Sequence, residues 1–202
     1  MISLREHMYA EPLFISPRVV FHRDVITADM AQDIIDAALP RLSPALLSGD
    51  ANGLSGDGRR ADAAWIPHNL NSSTQRTVDL VSDLVGISAL RAEQLHVIRY
   101  REGGEYKAHL DSYDLNTERG RRCTKMRGQR IFTALLYLND SFLGGETAFP
   151  NISLLVAPRA GSVLIFDNCL KDSLIPDPKS LHCGQPVQVG EKWLATLWYR
   201  ER

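Results

Sequence analysis

At 202 residues, with 44% apolar and 23% charged side chains, the chain has the size and balance of one globular domain. Such a domain buries about 70% of its unfolded surface without covalent staples. A formal net charge of −1 removes any whole-molecule drive toward nucleic acid or a membrane surface. Cys123, Cys169 and Cys183 are odd in number and lack CxxC spacing, which argues against a disulfide framework and a cysteine zinc site, so reduced thiols are expected. No apolar run reaches the roughly 20 residues of a membrane span, and "MISLREHMYAEPLF" has no apolar core of a secretion signal. The expectation is a soluble, cytoplasmic protein, with its oligomeric state left open.

In chain order, Thr27 is placed to cap a helix over "ADMAQDIIDAAL", with Asp29 in the first turn and Pro40 stopping it. Met30, Ile34, Ile35 and Ala38 form its expected buried stripe. The stretch "LLSGDANGLSGDGRRADAAW" is polar and glycine-rich and reads as a surface loop. A second helix is predicted from about Ser73 to Val85, with Val78, Val81, Leu84 and Val85 on its apolar side and Gly86 as its C-terminal cap.

From Leu95 the pattern changes to about eight short strands: "LHVIRY", "YKAHLD", "IFTALLYL", "ETAFP", "LLVAP", "SVLIFD", "PVQV" and "WLATLWYR". "VGEKW" is expected to be a tight hairpin turn around Gly190. Helices followed by strands predict a mainly β, α+β sandwich or barrel, with the N-terminal helices packed on one outer face.

His109 and Asp111 in "KAHLDSY" leave an extended backbone on the same side, about 6 to 7 Å apart at their origins. That spacing suits half a metal site, and equally a polar strand end. The other histidines are His7, His22, His68, His96 and His182. His182 lies late in the strand-rich half, where a remote strand can carry it to the first pair. Two histidines and one carboxylate on one face of a metal leave three positions open, the donor set associated with non-haem Fe(II) oxygenases, whereas zinc favours a tetrahedral, more nitrogen- or sulfur-rich set.

Five ordered segments carry a family resemblance: "IRYREGGEYKAHLD" (98–111), "RIFTALLYLND" (130–140), "GGETAFP" (144–150), "PRAGSVLIFDN" (158–168) and "SLHCGQPVQVGEKWLATLWYR" (180–200). With "RRADAAWIPHN" before them, they make the chain resemble the prolyl 4-hydroxylase group of 2-oxoglutarate-dependent Fe(II) dioxygenases. The resemblance implies a double-stranded β-helix (jelly-roll) core over 95–202, helical support over 1–94, and a single catalytic domain over 1–202.

By the same resemblance, His109, Asp111 and His182 hold Fe(II), and Lys192 pairs with the distal carboxylate of 2-oxoglutarate. Tyr100, Thr147 and Tyr137 supply hydroxyls to that carboxylate, although Tyr137 in an apolar strand is equally suited to core packing. Gly144 and Gly145 shape the backbone ahead of Thr147. Tyr106, Arg130 and Trp198 match positions lining the substrate side of the iron. The implied reaction consumes O₂ and 2-oxoglutarate, releases succinate and CO₂, and hydroxylates a prolyl residue of a peptide or protein, with ascorbate as an accessory cofactor. A free amino acid or other small metabolite is the alternative substrate. A non-catalytic binding module on the same barrel is disfavoured by the complete ligand set, and a zinc hydrolase by the lack of a role for Lys192 and "GGET". Residues 112–130, rich in Arg and Lys, are a candidate lid, with Ser112 and Tyr113 as its hinge and an acidic substrate as its sharper implication.

Overall fold

The computed structural model describes residues 10–45 and 58–202. His7 and the centre of the glycine-rich stretch, residues 46–57, lie outside the described residues. The elements in order are β1 (Ala10–Phe14), β2 (Val19–His22), α1 (Ala28–Ala38), β3 (Ser43–Pro44), β4 (Asp62–Ile66), α2 (Ser72–Val85), β5 (Leu95–Tyr100) and β6 (Tyr106–His109). They continue with α3 (Glu118–Thr124), β7 (Arg130–Tyr137), β8 (Leu143–Gly144), β9 (Thr147–Phe149), β10 (Leu154–Val156), β11 (Val163–Asp167), β12 (His182–Gly184), β13 (Val187–Val189) and β14 (Lys192–Arg200).

A large antiparallel sheet has the strand order β1-β2-β11-β7-β14-β5-β4-β3, and a smaller one the order β10-β9-β12-β6. A short ribbon pairs β13 with β8. The large sheet is apolar on both faces because each central strand alternates its side chains between two cores. On the outer face, Leu95, Val97, Leu136, Ala195 and Leu197 pack with Ile34 of α1 and Val78, Val81 and Val85 of α2. On the inner face, Ile98, Tyr100, Leu135, Tyr137 and Leu194 pack with Phe149 of the small sheet. The expected placement of the helices on one outer face is therefore found.

Both helices start where side-chain chemistry allows. The Thr27 hydroxyl accepts a hydrogen bond from the Met30 amide at 3.2 Å, which satisfies one otherwise open helix donor. Asn71 caps α2 one residue earlier than predicted, in a reciprocal capping box with Thr74. Gly86 closes α2 in the left-handed region at φ 76°. Pro40 does not stop α1 cleanly; it sits inside a 3₁₀ turn, Leu39–Arg41, that continues from the helix.

Three expectations are corrected. Residues before 95 are not only helical support: β1 and β2 extend one edge of the large sheet, and β3 and β4 the other. "ADAAW", expected in a surface loop, is mostly β4, whose Ala63, Ala64 and Ile66 are buried against β5. Small side chains there hide the strand because close packing, rather than bulk, holds them. Gly190 does adopt a left-handed conformation (φ 84°), but β13 and β14 do not pair with one another. β13 pairs with β8 while β14 lies between β5 and β7, so the turn passes the chain from one sheet to another.

Candidate active site

His109 ends β6, Asp111 follows two residues on, and His182 opens β12. Strands β6 and β12 are antiparallel neighbours in which His182 is the register partner of His109. That pairing brings residues more than seventy positions apart into one cluster, with one ligand atom from each of the three all within 4.8 Å of one another. Nε2 of His109 lies 3.5 Å from Asp111 Oδ1, and Nε2 of His182 lies 3.6 Å from Asp111 Oδ2.

The remaining ring nitrogens fix the tautomers. His109 Nδ1 faces the Lys107 carbonyl at 2.8 Å, and His182 Nδ1 faces the Ser180 carbonyl at 2.9 Å. Each Nδ1 therefore carries the proton and donates it to a carbonyl, leaving both Nε2 lone pairs directed at the cluster. Burial lowers His182 to about 4, with His109 adding to the effect, so it is neutral at pH 7. Asp111 is buried, which opposes its ionisation, yet the adjacent imidazoles and the Arg130 charge hold its carboxyl well below the usual range. The Thr133 hydroxyl donates to Asp111 Oδ2 at 2.7 Å, and the Asn168 amide nitrogen donates to Thr133 at 2.9 Å. Two imidazoles with their Nε2 atoms turned to the cluster and a supported carboxylate are a fitting donor set for a divalent metal such as Fe(II).

Beside this cluster, a narrow cavity runs inward past Thr147, Leu135 and Ile98 to Tyr100 and Lys192. Lys192 is 2% exposed, and its ammonium donates to the Gly145 carbonyl at 2.6 Å. It lies 5.6 Å and 5.7 Å from the ring centres of Tyr100 and Tyr137. The Tyr137 and Thr147 hydroxyls are hydrogen-bonded to each other at 2.8 Å. Among the described residues no carboxylate forms an ion pair with Lys192, and burial lowers it to about 8 while Glu146 opposes the shift. Gly145, at φ 68°, is close enough that a Cβ would sit 3.1 Å from the Lys192 side chain, so glycine there is a matter of room as well as backbone. This cavity fits an anionic group such as a 2-oxoglutarate carboxylate, because a buried ammonium needs a counter-charge.

On the outer side of the cluster opens a cleft of about 890 Å³. Tyr106, Arg130 and Trp198, the expected substrate-side residues, all line it. Tyr106 stacks on His109 with ring centres 3.6 Å apart. Arg130 is not a loop cation. It begins β7, makes two hydrogen bonds to Glu93 at 2.7 and 2.8 Å, and lies 3.8 Å over the Trp198 ring. Arg200 joins the same carboxylate at 2.6 Å.

Sequence reasoning missed three contributors. Glu93 sits between elements, and no periodicity marks it. Trp65 and His96 stack at 4.3 Å, with Trp198 completing an aromatic wall of the cleft. The third is Arg59, whose guanidinium lies 4.6 Å from the Tyr106 ring centre. Its position in "RRADAAW" was visible, but its partner strand was not.

The basic segment 112–130 contains α3, capped by Thr117. It is pinned rather than freely solvated. Gln129 bonds both the amide and the carbonyl of Tyr113 at its base, and Arg127 donates to the Leu90 and Ala92 carbonyls. Ser112, expected as a hinge, is buried and donates to the Asn168 carbonyl. Tyr113, Asp114 and Arg119 still form one wall of the cleft.

Comparison with known proteins agrees with this geometry. The profile of the 2OG-Fe(II) oxygenase superfamily matches residues 95–200. The chain is 33% identical over 196 residues to prolyl 4-hydroxylase subunit alpha-1 of Bos taurus, covering 92% of this chain and 35% of that protein. It is 31% identical over 207 residues to prolyl 4-hydroxylase 2 of Arabidopsis thaliana, covering 90% and 67%. The chain thus spans about a third of the length of the bovine relative. Among solved structures, the 2OG complex of a viral collagen prolyl hydroxylase from Paramecium Bursaria Chlorella virus-1 has the same fold, with TM-score 0.70, 21% identity, and coverage of 98% of this chain and 99% of that one. A Trichoplax adhaerens prolyl hydroxylase in complex with a hypoxia inducible factor peptide fragment superposes with TM-score 0.63 at 18% identity, covering 91% and 83%. With its donor triad gathered at the ends of two neighbouring strands of the smaller sheet, its buried lysine and the match across 95–200, the chain belongs to the 2OG-Fe(II) oxygenase superfamily.

Proposed function

We propose that this chain is a 2-oxoglutarate- and O₂-dependent Fe(II) hydroxylase acting on prolyl residues of a peptide or protein, with ascorbate as an accessory reductant. One observation carries the reading: Lys192, a buried ammonium without a carboxylate partner among the described residues, shares a cavity with a His–Asp–His cluster. A metal cluster alone suits many reactions, and a buried lysine alone is a stability cost. Together they form a site for a metal-chelating dicarboxylate.

In this reading His109 and His182 bind Fe(II) through Nε2, and Asp111 supplies the single carboxylate. Three protein ligands leave room for a bidentate cosubstrate and oxygen. Fe(II) with 2-oxoglutarate supplies the oxygen-activating chemistry, which yields succinate, CO₂ and a hydroxylated substrate. Lys192 neutralises the distal carboxylate, Tyr100 borders it, and the Tyr137–Thr147 hydroxyl pair turns to donate to it. Ile98, Leu135 and Leu194 keep water from the inner cavity. Tyr106, Trp198 and the Glu93-bound Arg130 position the substrate.

The size of the outer cleft favours a peptide over a free amino acid. The peptide-bound relative supports the same choice by analogy of fold. The test is anaerobic loading with Fe(II) and 2-oxoglutarate, followed by oxygen and blocked prolyl peptides. The expected outcome is succinate release with one oxygen atom added to the peptide by mass spectrometry. Succinate formed equally with and without every peptide, with oxygen entering free L-proline instead, refutes the peptide reading.

A further inference from the structure

The outer cleft carries a positive charge for which the proposed chemistry has no use. Residues 58–60 are laced to β6: the Lys107 amide donates to the Gly58 carbonyl at 2.8 Å, and the Arg60 amide to the Glu105 carbonyl at 2.9 Å. This antiparallel bridge sets Arg59 opposite Tyr106. The guanidinium of Arg59 lies over the Tyr106 ring and borders both the outer cleft and the inner cavity. Its neighbour Arg60 is paired with Glu105, but among the described residues no carboxylate pairs with Arg59, and its Nε is buried without a hydrogen-bond partner.

Of the cleft's other cations, Arg130 is held by Glu93, whereas Lys107, like Arg59, has no ion-pair partner among the described residues. Among the described residues, the acids lining the cleft are Asp111, part of the triad, and Asp114, whose carboxylate accepts from the Asn116 amide. The space beyond the metal cluster is thus positive, with a planar donor fork of the kind that takes a carboxylate in two parallel hydrogen bonds.

We infer that Arg59 is a specificity-determining residue that pairs with an acidic side chain flanking the hydroxylated residue, so that the substrate is an acidic prolyl peptide. This rests on the peptide hydroxylase reading above. The spacing identifies a flanking residue. Two stacked layers separate the guanidinium from the metal cluster, 4.6 Å from Arg59 to Tyr106 and 3.6 Å from Tyr106 to His109. An extended peptide advances about 3.3 Å per residue, so the paired carboxylate belongs about two or three positions from the target and is not the α-carboxylate of a single amino acid.

The test uses acetylated, amidated prolyl peptides that differ only in carrying Glu, Gln or Lys at each position flanking the proline. Affinity is read by tryptophan fluorescence on anaerobic protein loaded with Fe(II) and 2-oxoglutarate, and turnover by oxygen incorporation. The Glu peptide is expected to bind about tenfold more tightly than the Gln peptide, with a matching fall in KM and an unchanged kcat. Arg59→Ala removes that preference, Arg59→Lys restores part of it, and Arg59→Glu turns it toward the Lys peptide. Equal affinity for the three peptides, a preference that survives Arg59→Ala, or no binding of any peptide overturns the inference. Hydroxylation without charge preference defeats this inference alone, whereas charge-selective binding with no oxygen insertion defeats the hydroxylase reading and leaves the acid site standing.

Discussion

Lys192 and Arg200 stand at opposite ends of β14, and both are buried cations. At the Arg200 end the charge is answered within the protein, because Glu93 takes Arg200 and Arg130 together and its own pKa is lowered by them despite burial. At the Lys192 end the described residues offer only the Gly145 carbonyl and the faces of two tyrosines. The first arrangement is architecture, since every charge is satisfied before any ligand arrives. The second is incomplete among the described residues, and in the proposed function its partner comes from solution. Burial of a charge alone is a poor marker of function; burial without an internal counter-charge is a better one.

Removing parts of each end separates the two roles. The largest effect is expected at the metal cluster: His182→Ala leaves two ligands and should lower succinate release by at least about a thousandfold, about 4 kcal/mol in the barrel's capacity to stabilise the transition state. Full Fe(II)-dependent turnover in that variant breaks the assignment. Glu93→Ala strands two buried guanidinium groups, so it should destabilise the fold by about 3 to 5 kcal/mol, read as a drop in denaturation midpoint.

Lys192→Met should do the opposite to stability, leaving it unchanged or raised, while weakening 2-oxoglutarate binding by about a hundredfold in calorimetry. pH sharpens that contrast. Lys192 titrates lower in the folded protein, at about 8, than in the unfolded chain, so above that pH the unfolded chain holds more protons. Its contribution to the stability of the ligand-free protein therefore rises with pH from about 8 up to the ordinary lysine value, and Lys192→Met should lose that rise in melting experiments. Affinity for 2-oxoglutarate runs the other way, falling as the pH passes 8 and the ammonium is lost. Tyr137→Phe, which removes one hydroxyl of the pair it forms with Thr147, should cost about 1 kcal/mol in cosubstrate affinity, the smallest effect of the series.

From β5 onward all the strands except the short β8 and β12 were legible, because their side chains are large, β-branched or aromatic and their boundaries are glycine, proline and asparagine. β1 and β4 were not, because Pro12 and the run of small residues in "ADAAW" carry no such signature and become strands only against neighbours already in place. α3 was hidden by its arginines, which read as solvated charge until Thr117 is seen capping them. The site divides in the same way. His109, Asp111, His182 and Lys192 were found through ordered motifs, and the fold brings all four to one cavity. Glu93 and Arg59 were not found, because their significance lies in which charges they do or do not meet across the sheet.

β14 alternates its side chains between two separate jobs. Lys192, Leu194, Thr196 and Trp198 border the inner cavity, while Trp193, Ala195, Leu197 and Tyr199 belong to the core beneath the helices. The strand therefore acts as a ruler, holding the buried Lys192 ammonium and the aromatic wall of the outer cleft at a fixed separation on one face of a central strand. A one-residue insertion near its middle would leave either end well formed by itself but out of phase with the other. In the proposed hydroxylase, variation in substrate is thus free to arise in the segments facing the cleft, and is barred from the length of this strand.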